Sequence, residues 1–116
     1  IVKSSAVNAF TMKDVDLLGM PEVTRRAIAA VSANTCGYVV SFDLDVCDAA
    51  LVPGTGLPIR GGLTYREIQL FMELIYDDAR LLALEMVELN PLLDKNFTTA
   101  ELAMSLIESA LGKTIL

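Results

Sequence analysis

The strongest constraint on the fold is the stretch Gly37-Tyr38-Val39-Val40-Ser41-Phe42-Asp43-Leu44-Asp45. Apolar, β-branched and aromatic residues run straight into two carboxylates spaced i, i+2, and a loop rich in proline and glycine follows. That pattern predicts a buried strand and not a helix. Side chains two apart on a strand share a face, so Asp43 and Asp45 are expected side by side at its carboxyl end. Open α/β sheets place their ligands there. Two adjacent acids repel each other and lose hydration unless a cation compensates them, which points to a hard divalent metal. The alternative is that Asp43 caps the loop and Asp45 pairs with an arginine. The chain has no histidine, so a metal site here must be all-oxygen or take ligands from elsewhere.

A chain of 116 residues can bury one ordinary core. It is 53% hydrophobic, yet charges interrupt every apolar run well short of the roughly 20 residues a membrane helix needs. The excess apolar surface is expected in a fully covered parallel sheet, or in contacts with another subunit or a missing part of the chain. Fifteen acids against nine bases, with no basic run, argue against nucleic-acid binding. Cys36 and Cys47 lack metal spacing and read as reduced, buried thiols of a cytoplasmic protein. No signal peptide is visible. The chain begins at Ile1 and not at Met, which suits a fragment or a processed product.

Residues Val7 to Met12 suggest a short strand, with Lys13 to Asp16 turning the chain. Pro21 suits the first turn of a helix, with Val23, Ala27, Ala30 and Val31 on its apolar face, Arg25 and Arg26 outside it, and an end near Asn34. From Val46 to Leu63, two prolines and four glycines predict an irregular segment long enough to be functional. Thr64-Tyr65-Arg66-Glu67 is a capping box, followed by Ile68, Phe71, Met72 and Ile75 at helical spacing and an end between Asp77 and Arg80. Leu81 to Leu89 reads as a second buried strand. Thr98-Thr99-Ala100-Glu101 is a second capping box for a helix facing inward with Ala103, Leu106, Ile107 and Ala110, and ending at Gly112 and Lys113. The expected order is β-α-β-loop-α-β-α, an α/β pattern with parallel strands.

Glu88 ends the second apolar strand, so in a parallel sheet it opens onto the same edge as the aspartates. It is a candidate to hold a cationic substrate by a charge-assisted hydrogen bond, against the plainer reading of a salt bridge. Glu85 lies further back and has less claim. Cys47 has no histidine to activate it and reads as loop packing. A strand ending in Asp-x-Asp also opens phosphatases of the haloacid-dehalogenase type. Those carry Thr or Val where this chain has Cys47, and the Pro-Gly-Thr-Gly loop does not match them.

Ser41-Phe42-Asp43-Leu44-Asp45, then Ala49, Pro53-Gly54-Thr55-Gly56, Pro58 and Gly61-Gly62-Leu63-Thr64-Tyr65-Arg66-Glu67, resemble the signature of the ureohydrolase (arginase/agmatinase) family. Val87-Glu88-Leu89-Asn90-Pro91, with Leu93-Asp94 behind, resembles the second marker in its arginase form; agmatinases tend to lack the Asn-Pro pair. Thr11-Met12 with Asp14, Asp16 and Gly19-Met20, and the closing Leu111-Gly112-Lys113, are also similar to bacterial arginases. The resemblance covers residues 1–116 and corresponds to the C-terminal segment of a single arginase-like domain, with an αβα three-layer fold and a mostly parallel sheet.

The resemblance implies hydrolysis of L-arginine to ornithine and urea, with two manganese ions activating hydroxide for attack on the guanidinium carbon. By position, Asp43 bridges both metals, Asp45 binds one, and Glu88 accepts hydrogen bonds from the guanidinium. Leu57 stands where the family usually has Thr at the substrate-facing loop, and Val46 and Ala49 replace the usual small residue and Pro. Arg66 and Glu67 match a pair near a subunit interface, which implies a homo-oligomer, a trimer or hexamer. The family's histidine ligands and its Asp-x-His-x-Asp motif are absent, so this chain offers half of a binuclear site, and a second chain carrying the rest is one possible partner. The alternatives are a catalytically silent module and agmatinase-type activity on another guanidino substrate.

Overall fold

The computed structural model describes residues 5–114. Helix α1 (Met12–Leu18) and helix α2 (Met20–Val31) precede strand β1 (Tyr38–Asp43), which turns directly into a single 3₁₀ turn (Leu44–Val46). Helix α3 (Tyr65–Asp78), strand β2 (Leu81–Val87) and helix α4 (Thr98–Ala110) complete the chain. β1 and β2 pair in parallel through the α3 crossover, with Val40 opposite Leu84, Phe42 opposite Met86 and Asp43 opposite Val87. The α/β class and the parallel pairing are as expected.

The buried face of β1 carries Tyr38 and Phe42, which join α1 (Val15), α2 (Met20, Val23), α3 (Ile68, Met72, Ile75) and α4 (Leu102, Leu106) in one core. Phe42 and Phe71 stack with ring centroids 6.2 Å apart. The other face of the sheet is open among the described residues: Val39 is 64% exposed and Leu82 63%. β2 is therefore not the buried strand its composition suggests. Its apolar side chains show that a cover suits it, but nothing within the described residues supplies one.

Three further expectations need correction. Residues Val7 to Met12 form no strand; Thr11 instead caps α1, its hydroxyl accepting from the Asp14 N–H while the Asp14 carboxylate accepts from the Thr11 N–H. The capping bonds outweigh the extended preference of the short apolar run. In α2 the inward face is Met20, Val23 and Thr24, whereas Ala30 and Val31 lie exposed in the last turn, and the helix ends at Val31, before Asn34. α4 begins at Thr98 without a capping box, because Phe97 before it sits at φ 59° and offers no cap; Ile107 is exposed, and Thr99, Leu102 and Ser109 are buried in addition to Ala103, Leu106 and Ala110.

The capping box of α3 forms as read: Thr64 N–H and Oγ1 both reach Glu67 Oε2, at 2.8 and 2.7 Å. α4 is stopped just beyond Ala110 by Gly112 (φ +107°), whose N–H donates to the carbonyl of Ser109 while the Lys113 N–H donates to the carbonyl of Glu108. This 6→1, 5→2 pair satisfies the last carbonyls, and only glycine takes that φ without strain. Gln69 is buried between α3 and α4 with its amide satisfied by Tyr65, Ser105 and Ser109.

Candidate functional site at the carboxyl ends of the two strands

Asp43 is the last residue of β1 and Asp45 is not on the strand at all. The Asp43 side chain accepts from the Asp45 N–H at 2.8 Å and so caps the 3₁₀ turn. The strand alternation predicted for the pair is thus replaced by a turn, since a side-chain oxygen two residues back satisfies the turn's first free N–H. Asp45 does not pair with an arginine: its Oδ1 accepts from the Leu57 N–H at 3.2 Å. Among the described residues the ion pairs are Glu22 with Arg25 and Arg26, Asp78 with Arg80, and Glu108 with Lys113. Asp43 and Asp45 each use Oδ1 alone in hydrogen bonds, and the Oδ2 of each has no partner among the described residues.

Glu88 follows β2 directly. Because Asp43 lies opposite Val87, Glu88 leaves the sheet at the same end as the aspartates. It is exposed, forms no ion pair among the described residues, and holds φ at 67°. A non-glycine residue in the left-handed region is uncommon and tends to persist at functional sites. Its Oε2 lies 3.9 Å from where a Cβ on Gly56 would sit, so the Gly54–Leu57 loop runs between Glu88 and Asp45. Glu85 lies opposite Ser41, exposed and without a salt bridge among the described residues.

The side chain of Leu57 is 72% exposed; the residue reaches the site through its backbone N–H alone. Cys47 is buried, and burial, with the Asp43 charge adding to it, pushes its thiol up to about 11. It is inert packing, as read. Cys36 is exposed, contrary to expectation, because it falls in the irregular link between α2 and β1. Arg66 is exposed, and Glu67 serves the α3 cap.

Among the described residues no three His, Cys, Asp or Glu side chains gather as a metal would need. Asp94 and Thr99 hold the loop from behind, a role that neither the Leu93-Asp94 pair nor the Thr98–Glu101 pattern announces. The Asp94 carboxylate accepts from the Thr99 and Ala100 N–H groups at 2.9 and 3.0 Å, and the Thr99 hydroxyl accepts from the Gly54 N–H at 2.8 Å. An aspartate a few residues before a Thr-Thr helix start is the available signal. No helix among the described residues is long and apolar enough to cross a membrane.

The sequence model of the Arginase family matches residues 1–112. An arginase of Bacillus subtilis is 41% identical over 115 residues, which is 99% of this chain and 38% of that protein. An arginase of Brevibacillus brevis is 41% identical over 116 residues, 100% of this chain and 39% of that one. The chain thus spans about two fifths of the length of these relatives. The crystal structure of Bacillus subtilis arginase superposes with a TM-score of 0.93, covering 99% of this chain and 42% of that one at 41% identity. Bacillus subtilis formimidoylglutamase superposes at 0.87, covering 94% and 34% at 28% identity. With a family match over almost every residue and the same fold in solved relatives, the chain belongs to the arginase family.

Proposed function

We propose that this chain carries part of the site of a manganese-dependent arginase, which hydrolyses the guanidino group of L-arginine to ornithine and urea. The observation that carries the reading is the shared carboxyl end of β1 and β2, where Asp43, Asp45 and Glu88 emerge around the Gly54–Leu57 loop. The residues present fit a hard divalent cation: both aspartates offer carboxylate oxygens, and each keeps one oxygen without a partner among the described residues. Asp43 and Asp45 are the residues that would hold manganese, Asp43 as the ligand both ions would share, with the remaining ligands supplied from outside this chain's described residues. Manganese, when bound, supplies the positive charge that makes water a nucleophile near neutral pH.

Glu88 accepts the guanidinium N–H groups through charge-assisted hydrogen bonds, and its lack of an ion pair among the described residues leaves it available for a cation. The Leu57 N–H holds Asp45 in place from the loop side. Arginine is favoured over agmatine by the Asn90-Pro91 pair, and relatives named arginase at about 40% identity support that choice. Solved neighbours named formimidoylglutamase and proclavaminate amidino hydrolase support the broader hydrolase class. The native protein on this reading is a cytoplasmic homo-oligomer. The open apolar sheet face suits contacts with further chain or with another subunit.

A catalytically silent module is the second reading, favoured by the absence of a third ligating side chain among the described residues. Manganese content and intact mass of the purified native protein separate the two. Stoichiometric manganese, lost in Asp43→Asn, supports the arginase reading; a metal-free protein, or a mutant that keeps both ions, sinks it. In the active protein Glu88→Gln should spare the metal and lower arginine turnover at least about a hundredfold, as expected for removing a charged contact to substrate.

A further inference from the structure

The loop that separates Glu88 from Asp45 is held from behind by the start of α4. Gly54 is buried, and its N–H donates to Thr99 Oγ1 at 2.8 Å across 45 residues of chain. Thr99 is itself fully buried, with its N–H given to Asp94 Oδ1. On the other side of its Cα the Gly54 carbonyl accepts from the Asn90 N–H at 2.8 Å, two residues after Glu88. Gly54 and Asp94 are in direct contact: a Cβ on Gly54 would lie 2.5 Å from the Cβ of Asp94. Gly54 is thus pinned at its N–H, its carbonyl and its Cα. Two residues on, Gly56 lies against Glu88, and the next N–H holds Asp45.

We infer that Thr99, backed by Asp94, is a positioning residue for the guanidino site: by fixing Gly54 it sets the spacing between Asp45 and Glu88. The inference rests on the arginase reading of Asp45 and Glu88. A hydroxyl is needed because the Gly54 N–H is buried, and a buried donor without an acceptor is strongly disfavoured. Valine has the shape of threonine without the acceptor, so in Thr99→Val the loop must move for that N–H to find another partner. The displacement passes to the Leu57 N–H and to the Gly56 contact with Glu88, because both lie within three residues of Gly54.

The test compares Thr99→Val and Thr99→Ser in the native full-length protein, by amide exchange and by steady-state arginine hydrolysis. Thr99→Val should speed exchange at Gly54 and at Leu57. It should raise KM for arginine about tenfold with a smaller change in kcat and unchanged manganese content, as expected when a substrate contact is misplaced away from the metal. Thr99→Ser should restore both readouts. A purely structural role would alter Gly54 exchange and the melting temperature while Leu57 exchange and KM stayed at wild-type values, and that result overturns the inference. If the wild-type protein does not hydrolyse arginine, the arginase reading falls and Leu57 exchange alone decides the positioning. If Thr99→Val fails to fold, the wild-type Gly54 amide decides: protection equal to that of the α4 amides supports the tie, and exchange at the rate of a free loop refutes it.

Discussion

The amino termini of α3 and α4 carry the same four-residue pattern and are capped in different ways. Thr64 and Glu67 close a reciprocal box at α3. Thr98 and Glu101 do not: the Thr98 hydroxyl donates backward to the Lys95 carbonyl, and the Asp94 carboxylate takes the N–H groups of Thr99 and Ala100. The difference lies upstream. Ahead of Thr64 the chain arrives extended, with Thr64 itself at φ −76° and ψ 160°, the geometry an N-cap requires. Ahead of Thr98 both Asn96 and Phe97 are left-handed, which swings an earlier carboxylate over the helix end. A capping box is therefore a competition, and an anion already placed at the positive end of the helix wins it. α3's cap serves α3 alone, whereas α4's cap also fixes the loop beside Glu88.

The comparison breaks most sharply at Gly54, the point where α4's cap meets the loop. Gly54→Ala puts a methyl group into Asp94, with contacts of 2.5 Å to Cβ and 2.7 Å to Cγ. Overpacking against backbone and a bonded carboxylate should cost about 3 kcal/mol. Gly56→Ala meets only the flexible tip of Glu88 at 3.9 Å and should stay within about 0.5 kcal/mol. Urea unfolding of the pair measures both, and equal losses would mean that the loop does not lie against α4 as described.

A smaller effect separates the two caps by pH. Burial pushes the Asp94 carboxyl upward, but the Thr99 and Ala100 hydrogen bonds outweigh it and hold the group below the ordinary carboxylate range. A depressed folded value means that the stabilisation is present above the unfolded value and is lost as pH falls through the folded one. Wild-type protein should therefore exceed Asp94→Asn in stability near neutrality, and the gap should shrink as the solution is acidified. Urea midpoints of both proteins from pH 7 to pH 2 test the sign; a gap that widens in acid would contradict the cap.

Much of this was legible in the residue pattern, and what was not has a common cause. The β1 run, the α3 cap, Pro21 in the first turn of α2 and the Gly112 stop follow from local preference, and each occurs where the pattern places it. Asp43 and Glu88 were legible as acids at the ends of two apolar strands. The turn that carries Asp45 off the strand was not, because alternation says nothing about a side chain that caps the residue two further on. α1 was missed since its seven residues barely span two turns and follow an apolar run that resembles a strand. The exposure of β2 was illegible for another reason: an apolar strand shows that it suits a cover, and not where the cover lies. The tie from Gly54 to Thr99 spans 45 residues, and no local pattern announces a contact at that distance.

The smallest expected effect is also the most direct check on the two caps. Glu67→Ala removes the carboxylate that accepts from both the N–H and the hydroxyl of Thr64, and should cost about 1 kcal/mol. Glu101→Ala removes no hydrogen bond among the described residues. The Thr98 N–H already donates to the Lys95 carbonyl at 3.2 Å. Its one contribution is charge in the first turn of α4, worth a few tenths of a kcal/mol at an exposed site and partly offset by the better helix propensity of alanine. Glu101→Ala should therefore shift stability by less than about 0.5 kcal/mol. Equal losses in the two variants would mean that Glu101 closes a box on Thr98 in solution, and Asp94 would then no longer be the group that anchors α4 and the loop behind Glu88.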